Sequence, residues 1–380
     1  MTASLARAGS LFLTSPALRD AVRAAHAAWR RARGQTPCVH VFHDPQDPYS
    51  HLLASVMPAF AQRYAVQIVD HLVPPPDADA APEALALAAW ARRDAERLAK
   101  HHDLILPAAL PAHLRVTPQA LADGAGLRRR LGHYLGATLY FEGEWYWGID
   151  RLHHLEARLL RAGLRKHLGR EPLWPAPPVP ALLPGAGARG RRLTFFCSLR
   201  SPYTYLAVAR VRELAKAYQA ELELAFVLPM VMRGLPISTA KRLYIVRDAK
   251  REAERLQLPF GDIVDPVGPP TERGLAVLHH AIIAGRGEDF LESFLRGVFA
   301  EGIDAGSERG LRRIASRAGM NDAAVARALE DPSWRSLAGQ HRDRMQRLGL
   351  WGVPSFQVDD RPGLWGQDRL FMVEQDLATA

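Results

Sequence analysis

The sequence predicts an α/β protein made of two related domains, and an internal repeat is the main reason. Three pairs of segments match in the same order along the 380-residue chain: residues 39–53 with 193–207, 91–98 with 246–253, and 147–152 with 365–370. In the first pair, each member reads as an apolar strand, a turn and a proline at the first position of a helix. A hydrophobic content of 48% and a charged content of 23% suit a globular protein with large cores.

The repeat also sets the predicted domain boundaries. The chain divides into a helical extension at 1–36, a first copy at 37–168, a proline- and glycine-rich linker at 169–190, and a second copy at 191–380. The extension holds a short amphipathic, arginine-rich helix from Asp20 to Arg33.

The first copy is the shorter one. Asp47 and Ser201 match at a distance of 154 positions, whereas Asp150 and Asp368 match at 218. The first copy therefore lacks 64 residues in its middle, and we expect its helical insertion to be shortened.

In the second copy, the order of the elements predicts the fold. A strand is followed by a helix at about 203–218, a strand at 221–228 and helical periodicity from about 238 to 348; a strand at 355–358, a glycine-rich turn and a last helix from Asp368 complete the copy. A β-α-β unit, a helical insertion at about 231–348 and a β-β-α ending together predict a thioredoxin fold interrupted by a helical subdomain.

Charge and hydropathy exclude some classes of function. The net charge of +9 is carried mostly by arginines scattered among acidic residues, a pattern typical of solvated helix faces rather than of a nucleic-acid-binding surface. No apolar run approaches the ~18–20 residues that span a bilayer, and the N-terminus lacks the layout of a secretion signal. We therefore expect a cytoplasmic protein without nucleic-acid or membrane partners.

Cysteine and histidine spacing argues against redox and metal chemistry. The two cysteines, Cys38 and Cys197, each fall in the first strand of a copy, and no CxxC motif is present. A dithiol oxidoreductase and a zinc knuckle are both poorly supported, and buried strand cysteines in a reducing compartment are expected. The pair His279–His280 and the single His341 lack ligand spacing, so we predict no metal site.

Ser201 is the first candidate for chemistry. It precedes a proline at the predicted start of a helix, where a serine commonly caps the helix and does nothing more. A helix N-terminus also favours a nearby anion such as a thiolate, and a hydroxyl there could donate a hydrogen bond to the same sulfur.

Three other positions each allow a structural and a functional interpretation. Val353–Pro354 opens a strand, either as a simple turn or as a cis-peptide that presents its backbone to a peptide-like ligand. Gln367–Asp368 starts the last helix, where the carboxylate caps the helix or holds an α-amino group. Lys241 lies beside apolar residues, either as a surface lysine or as a site residue.

These residues resemble those of a known family. Segments 195–207, 229–234, 241–244, 259–261, 350–356 and 365–370 resemble, in order, those of 2-hydroxychromene-2-carboxylate isomerases and kappa-class glutathione transferases, which have a DsbA-like thioredoxin fold. The resemblance covers nearly all of residues 191–376 and is specific as an ensemble. It implies two DsbA-like thioredoxin domains, of which the second carries the full helical insertion.

The resemblance also implies roles for individual residues. Ser201 would face the sulfur of glutathione, with Lys241 near the same thiol. Val353, before a cis Pro354, would pair its backbone with the cysteinyl unit, and the segment 367–368 (Gln367 and Asp368) would hold the γ-glutamyl end. One departure is Cys197, since the family usually has aspartate at this strand position.

The first copy resembles the family only at its edges. Asp47 replaces the serine, so a carboxylate would repel an incoming thiolate. Leu87 stands at the lysine position, Thr138 stands near the expected cis-proline, and Asp150 alone is retained. We expect this copy to bind no glutathione and to act as a scaffold or partner surface.

The resulting functional hypothesis is a glutathione-dependent isomerase acting on a small acidic aromatic compound of the 2-hydroxychromene-2-carboxylate type. The alternatives are a kappa-like glutathione transferase or peroxidase, and a non-catalytic tandem thioredoxin-like binding protein. Family members are often dimers, so we expect either a homodimer or an internal pseudo-dimer formed by the two copies of one chain.

Overall fold

The structure is a computed structural model that describes residues 3–78, 80–82, 84–166, 172–183, 190–235 and 237–379. It divides into two compact units. The C-terminal unit comprises Met1–Ser15, Pro178–Pro236 and Ile245–Ala380, and the N-terminal unit comprises Pro16–Pro177 and Ile237–Tyr244. The predicted extension at 1–36 is therefore divided between the units, and so is the predicted linker at 169–190, of which residues 169–171 and 184–189 lie outside the described part of the chain.

The N-terminal unit alternates strands and helices. Its elements are α2 (Pro16–Ala32), β1 (Cys38–His43), α3 (Pro48–Arg63), β2 (Gln67–Leu72), α4 (Ala84–His101), α5 (Pro118–Leu131), β3 (Thr138–Phe141), β4 (Glu144–Trp147) and α6 (Leu152–Arg161), with a 3₁₀ turn at Ile149–Arg151. Proline at the first position of α3 and α5 suits a helix start, because the missing N–H has no helical partner there. Helix α2 is held to the β3–β4 hairpin by ion pairs from Arg23 to Glu144 and from Arg30 to Glu142.

The C-terminal unit has the same order with a longer helical middle. Its elements are α1 (Ala3–Leu13), β5 (Arg192–Cys197), α7 (Pro202–Ala217), β6 (Glu221–Phe226), α8 (Thr239–Arg255), α9 (Pro269–Ile283), α10 (Gly287–Ala300), α11 (Glu308–Arg317), α12 (Asp322–Glu330), α13 (Trp334–Arg347), β7 (Ser355–Val358), β8 (Leu364–Trp365) and α14 (Leu370–Ala378), with 3₁₀ turns at Met230–Arg233 and Gln367–Arg369. Residues 239–244 of α8 group with the other unit. The predicted strand at 221–228 ends two residues early, at Phe226.

Both sheets have four strands in the same arrangement. The orders are β2-β1-β3-β4 and β6-β5-β7-β8, and in each the first two strands of the chain are parallel while the hairpin strand is antiparallel to them. Phe42 lies opposite Thr138 in one sheet, and Phe196 lies opposite Ser355 in the other. The parallel pair is joined by a helix in each unit, because parallel neighbours need a crossover connection.

The core of the C-terminal unit lies on both faces of β5. Leu193, Phe195, Phe196 and Cys197 are completely buried, because helices cover the two faces of this central strand. Within the helical insertion, Phe290, Phe294 and other apolar side chains of α10 are also fully buried. The insertion therefore has a core of its own rather than serving as a loop.

Tyrosine–carboxylate hydrogen bonds recur in the two units at matching positions. The hydroxyl of Tyr49 donates to Asp94 (2.6 Å), and the hydroxyl of Tyr203 donates to Asp248 (2.8 Å). Each pair joins the helix after the first strand to the first helix that follows the parallel strands. The separation of 45 residues is the same in both pairs, so the two units share this side-chain contact.

A second tyrosine–carboxylate pair in each unit also binds the connecting segment. Glu156 accepts hydrogen bonds from Tyr64 and from the backbone N–H groups of Leu173 and Trp174. In the C-terminal unit, Glu374 likewise accepts hydrogen bonds from the hydroxyl of Tyr218 (3.1 Å) and from the backbone N–H groups of Ala181 (2.8 Å) and Leu182 (2.6 Å). Each unit thus fixes its own part of the described linker with one carboxylate.

None of the described helices is both long and apolar enough to cross a bilayer.

Candidate functional site

The start of α7 brings two of the predicted residues together. Ser201 follows the turn after β5 and caps α7, since its Oγ accepts a hydrogen bond from the backbone N–H of Thr204 (3.1 Å). The same hydroxyl donates to the carbonyl oxygen of Val353 (3.3 Å), 152 residues later in the chain. Ser201 and Val353 are both half-buried, so solvent reaches this pair. Ser201 therefore caps α7 and contacts the Val353 carbonyl at the same time.

The Val353–Pro354 peptide is cis, which is one of the two conformations that the sequence left open and the one that the family resemblance implied. The segment that contains it is fixed on both sides: Ser355 Oγ donates to the carbonyl of Gly352 (2.7 Å), and the N–H of Gly366 donates to the carbonyl of Pro354 (2.9 Å). This places a backbone carbonyl of fixed position beside the Ser201 hydroxyl.

Aromatic side chains lie next to this segment. The ring of Trp365 packs directly on Gly352, where an added Cβ would lie 2.2 Å from the ring, and Trp351 meets Trp365 edge-on at 5.0 Å between centroids. A side chain at position 352 would displace the indole, so glycine is required for this close approach. The site is thus bounded by flat apolar surfaces next to a polar pair.

Gln367 and Asp368 lie in a polar network at the start of the last helix. Gln367 is only 1% exposed, and its amide donates to Glu252 (2.9 Å) and to Asp368, while its carbonyl oxygen accepts from Arg210. Burial lowers the pKa of Arg210 to about 10, and the charge of Asp368 opposes that shift. Asp368 is half-buried, so its carboxylate is the more accessible member of the predicted pair.

Lys241 groups with the N-terminal unit. Its Nζ donates to the carbonyl of Ala80 (2.7 Å), and burial lowers its pKa to about 8. The ring of Tyr134 lies 6.0 Å from the same nitrogen. The structure therefore assigns this lysine contacts with residues of the first copy, and its predicted role at a thiol site stays a prediction.

The cysteines occupy the strand positions expected for them. Cys197 is fully buried at the end of β5, and burial raises the pKa of its thiol well above the ordinary range. Cys38 is half-buried, and burial raises its pKa too. Because the thiolate is the reactive form, both side chains are poor nucleophiles.

The histidines that the sequence singled out have structural partners. His280 Nε2 lies 2.8 Å from Asp331, and His341 Nδ1 donates to the carbonyl of Phe226 (3.0 Å). His279 lies edge-on to the ring of Phe226.

The N-terminal unit has a carboxylate, Asp47, at the N-cap position that corresponds to Ser201. Asp47 caps α3 by accepting from the backbone N–H of Tyr49 (3.1 Å) and from the hydroxyl of Ser50 (3.1 Å). Burial, followed by the charge of Asp44, raises the pKa of Asp47 to about 7. The register of the strands places Ala137 where the second copy has its cis-proline, one residue before the position suggested by the sequence.

Two residues that contact the predicted site residues were missed by sequence reasoning. Thr204 has a completely buried hydroxyl one helical turn after Ser201, and Arg210 holds Gln367 from the next turns of α7. The sequence signal for Thr204 is its position three residues after the cap, where the backbone N–H bonds to the cap side chain. Arg210 gave no signal, because its contact spans 157 residues of the chain.

Comparison with known proteins places the C-terminal half in a fold family. Residues 192–378 match the family model of the DsbA-like thioredoxin domain. Similar solved structures include a 2-hydroxychromene-2-carboxylate isomerase (20% identity, TM-score 0.41, 49% of this chain and 93% of that chain) and a probable DsbA oxidoreductase from Streptomyces coelicolor (19%, 0.39, 50% and 92%). A third is the cytosolic disulfide reductase DsbM from Pseudomonas aeruginosa with glutathione (18%, 0.37, 49% and 95%). No protein of curated function matches the chain. The C-terminal half thus has a DsbA-like thioredoxin fold within a mixed α/β chain.

Proposed function

We propose that the C-terminal unit binds glutathione at the start of α7 and uses it as the cofactor of an isomerase for a small acidic aromatic compound of the 2-hydroxychromene-2-carboxylate type. The observation that carries this proposal is the contact between the Ser201 hydroxyl and the Val353 carbonyl. These are the two groups to which the family resemblance assigns the sulfur and the cysteinyl backbone of glutathione.

The contact between them can be exchanged at little cost. At 3.3 Å, the hydrogen bond from Ser201 to Val353 is long for an O–H donor and correspondingly weak. The hydroxyl can rotate to donate to an anionic sulfur instead, and hydrogen bonds to ions are about twice as strong as neutral ones. Val353 would then accept from the cysteinyl N–H of the ligand, so that no polar group loses a partner.

The helix start adds to the stabilisation of an anion. The N-terminus of α7 carries a partial positive charge, which favours a thiolate over a thiol. When bound, glutathione would supply a sulfur nucleophile for reversible addition to a conjugated double bond of the substrate, which would be a rotatable single bond until the sulfur leaves. Ser201 holds the sulfur in its anionic form and orients it, and the net charge of +9 attracts an acidic substrate.

At the γ-glutamyl end of the tripeptide, Asp368 and Gln367 have different proposed roles. The half-buried Asp368 carboxylate is suited to accept the γ-glutamyl ammonium group. Gln367 is buried and bound to Glu252 and Arg210, so we assign it the positioning of Asp368 rather than a ligand contact. Lys241 retains its proposed place near the thiol from the family resemblance alone.

The N-terminal unit is, in this proposal, a degenerate copy of the same domain. Support comes from the shared strand order, the Tyr49–Asp94 and Tyr203–Asp248 pairs, and the matching cap positions. Asp47 puts a carboxyl group where a thiolate would lie, and once it is ionised, above its pKa of about 7, its charge repels the thiolate. This copy therefore takes no glutathione and serves as a scaffold or partner surface. Both predicted assemblies, a homodimer and an internal pseudo-dimer, are kept in this proposal, and light scattering of the full chain distinguishes them.

One competing function has an observation in its favour. Because the Ser201 hydroxyl already has a donor and an acceptor within the protein, a non-catalytic tandem thioredoxin-like binding protein is also consistent with the geometry.

A kappa-like transferase would instead consume glutathione, and a dinitrobenzene conjugation assay would detect the thioether. A dithiol reaction lacks a reactive cysteine, so an insulin-reduction assay should be blank.

The direct test is Ser201→Ala in the full chain. Loss of one preorganised donor typically costs about one to three orders of magnitude in turnover, so isomerisation of 2-hydroxychromene-2-carboxylate should fall by that factor. The matched control is Ser307→Ala, which removes another N-cap hydroxyl, bonded to the N–H of Gly310 (3.0 Å) at the start of α11. Both variants lose about 1 kcal/mol of stability from the cap, but only the first should lose activity. Unchanged turnover in the first variant would remove Ser201 from the mechanism.

A further inference from the structure

The first copy shows where a hydroxyl at the third position of the helix points. In α3 this position is Ser50, whose Oγ accepts from the backbone N–H groups of Asp44 (3.0 Å) and Ala137 (2.9 Å) and donates to Asp47 (3.1 Å). The Ser50 hydroxyl therefore lies between the end of the first strand, the start of the hairpin strand and the cap residue. Its hydrogen-bonding capacity is fully used.

The same position in α7 is Thr204, and its hydroxyl has no such partners. Thr204 is 0% exposed, and among the residues that the structure describes no hydrogen-bond partner lies within reach of its Oγ1. The strand register explains one loss: Pro354 stands where the first copy has Ala137, and proline has no N–H to donate. A second loss is at the cap, where Ser201 replaces the carboxylate and donates to Val353 instead.

A buried hydroxyl without a partner costs free energy, and such groups are rare in native proteins. The cost is recovered if a ligand supplies the missing acceptor. By the arrangement seen around Ser50, the Thr204 hydroxyl faces the place where Ser201 and Pro354 meet, which is the place proposed above for the sulfur of glutathione.

We propose that the Thr204 hydroxyl is a second hydrogen-bond donor to the sulfur of the bound thiol, acting beside Ser201. This inference rests on the proposed function and extends it, because it assigns two hydroxyl donors, Ser201 and Thr204, to the thiolate sulfur of bound glutathione. A thiolate accepts several hydrogen bonds at once, and each donor lowers the pKa of the bound thiol by favouring its charged form. The ligand class is a thiol-bearing peptide, with the sulfur as the recognised atom.

The first readout is the pKa of the thiol of glutathione bound to the full chain, which is measured from the ultraviolet absorbance of the thiolate as the pH is varied. Thr204→Val keeps the shape of the side chain and removes the hydroxyl. The pKa of the bound thiol should rise by about one unit, which corresponds to about a tenfold change in the balance of the two protonation states. Thr204→Ser should restore the lower value. Affinity for S-methylglutathione, which has no thiolate, should be the same in all three proteins.

The second readout is stability without ligand. Thr204→Val removes a hydroxyl that has no partner, so the urea midpoint of the ligand-free protein should not fall. Thr271→Val is the matched control, because Thr271 is also fully buried at the third position of a proline-started helix, but its hydroxyl donates to the carbonyl of Pro266 (2.6 Å). The control variant should unfold at a lower urea concentration than the wild type.

The outcomes separate this inference from the function on which it rests. If the wild type binds glutathione and Thr204→Val leaves the thiol pKa unchanged, the inference is wrong and the proposed function stands. If Thr204→Val lowers the urea midpoint as much as Thr271→Val does, the hydroxyl has a partner in the ligand-free protein and the inference is equally overturned. If the wild type binds no glutathione at all, both fail.

Discussion

Ser201 and Asp47 occupy equivalent N-cap positions, and the two side chains differ by one charge. Each accepts a backbone N–H of its own helix, so each is a sufficient cap. A hydroxyl can also donate to an incoming anion, whereas a carboxylate repels it. Burial and Asp44 raise the pKa of Asp47 to about 7, which shows how poorly that pocket tolerates a negative charge.

The raised pKa makes the stability of the protein depend on pH in a defined direction. In the unfolded chain Asp47 loses its proton near its ordinary pKa of 3.8, but in the folded chain it does so at about 7. The unfolded state therefore binds fewer protons in this range, and stability decreases from about pH 4 up to pH 7 and then levels off. Asp47→Asn keeps a good cap and removes the charge. The difference in the free energy of unfolding between this variant and the wild type, measured in urea, should therefore grow by about 2 kcal/mol from pH 5 to pH 8.

The control for this prediction is a carboxylate shifted the other way. Asp359 accepts from the backbone N–H of Arg192 (2.8 Å) and pairs with Arg191, and these contacts lower its pKa. Its contribution to stability is present above the unfolded pKa and is lost only as pH falls below about 4. Asp359→Asn should therefore lower stability equally at pH 5 and pH 8. A difference between wild type and Asp47→Asn that does not change with pH would contradict the assignment of a raised pKa.

At the scale of elements, strong periodic signals allowed most of the C-terminal unit to be predicted. The strand at 355–358, the helix after Pro202 and the last helix appear where the pattern places them, because local apolar spacing and proline position determine them. What the pattern did not reveal are contacts made across the chain: Lys241 with Ala80, and Arg210 with Gln367. Such pairs depend on which surfaces meet in three dimensions, and single-sequence spacing contains no information about that.

The two glutamates that bind the linker are a further case of this kind. Each lies in the last helix of its unit and uses both carboxylate oxygens on two consecutive backbone N–H groups. Since each unit binds a different part of the linker, the two contacts can be tested independently.

Replacing one glutamate should release only its own part of the linker. Glu374→Gln replaces a charged acceptor pair by one neutral oxygen and an amide donor, which opposes the second N–H. Hydrogen bonds to charged groups contribute about 1.5–3 kcal/mol, so amide hydrogen exchange at Ala181 and Leu182 should accelerate about 10- to 100-fold. Exchange at Leu173 and Trp174 should be unaffected.

The converse variant serves as the control. Glu156→Gln should accelerate exchange at Leu173 and Trp174 and leave Ala181 and Leu182 unchanged. Equal acceleration at both places in either variant would mean that the linker opens as one segment, and the separate-contact interpretation would be wrong.

At the scale of the whole molecule, the chain carries one sheet arrangement twice and the chemistry of a candidate site once. Strand order, the tyrosine–carboxylate pairs and the linker contacts are shared by the two units, whereas the residues around the cap are not. Contacts that maintain the fold occur in both units, whereas, among the described residues, the hydroxyl and backbone carbonyl proposed to bind a thiol lie in the C-terminal unit. This division predicts a single ligand for each chain.

A crystal structure of the full chain with glutathione tests this division most directly. We expect one tripeptide per chain, with its sulfur within hydrogen-bond distance of Ser201 Oγ and its cysteinyl N–H on the carbonyl of Val353. A structure in which the Ser201 hydroxyl keeps its bond to Val353 while glutathione is absent, or lies beside Asp47 instead, would contradict the proposed site.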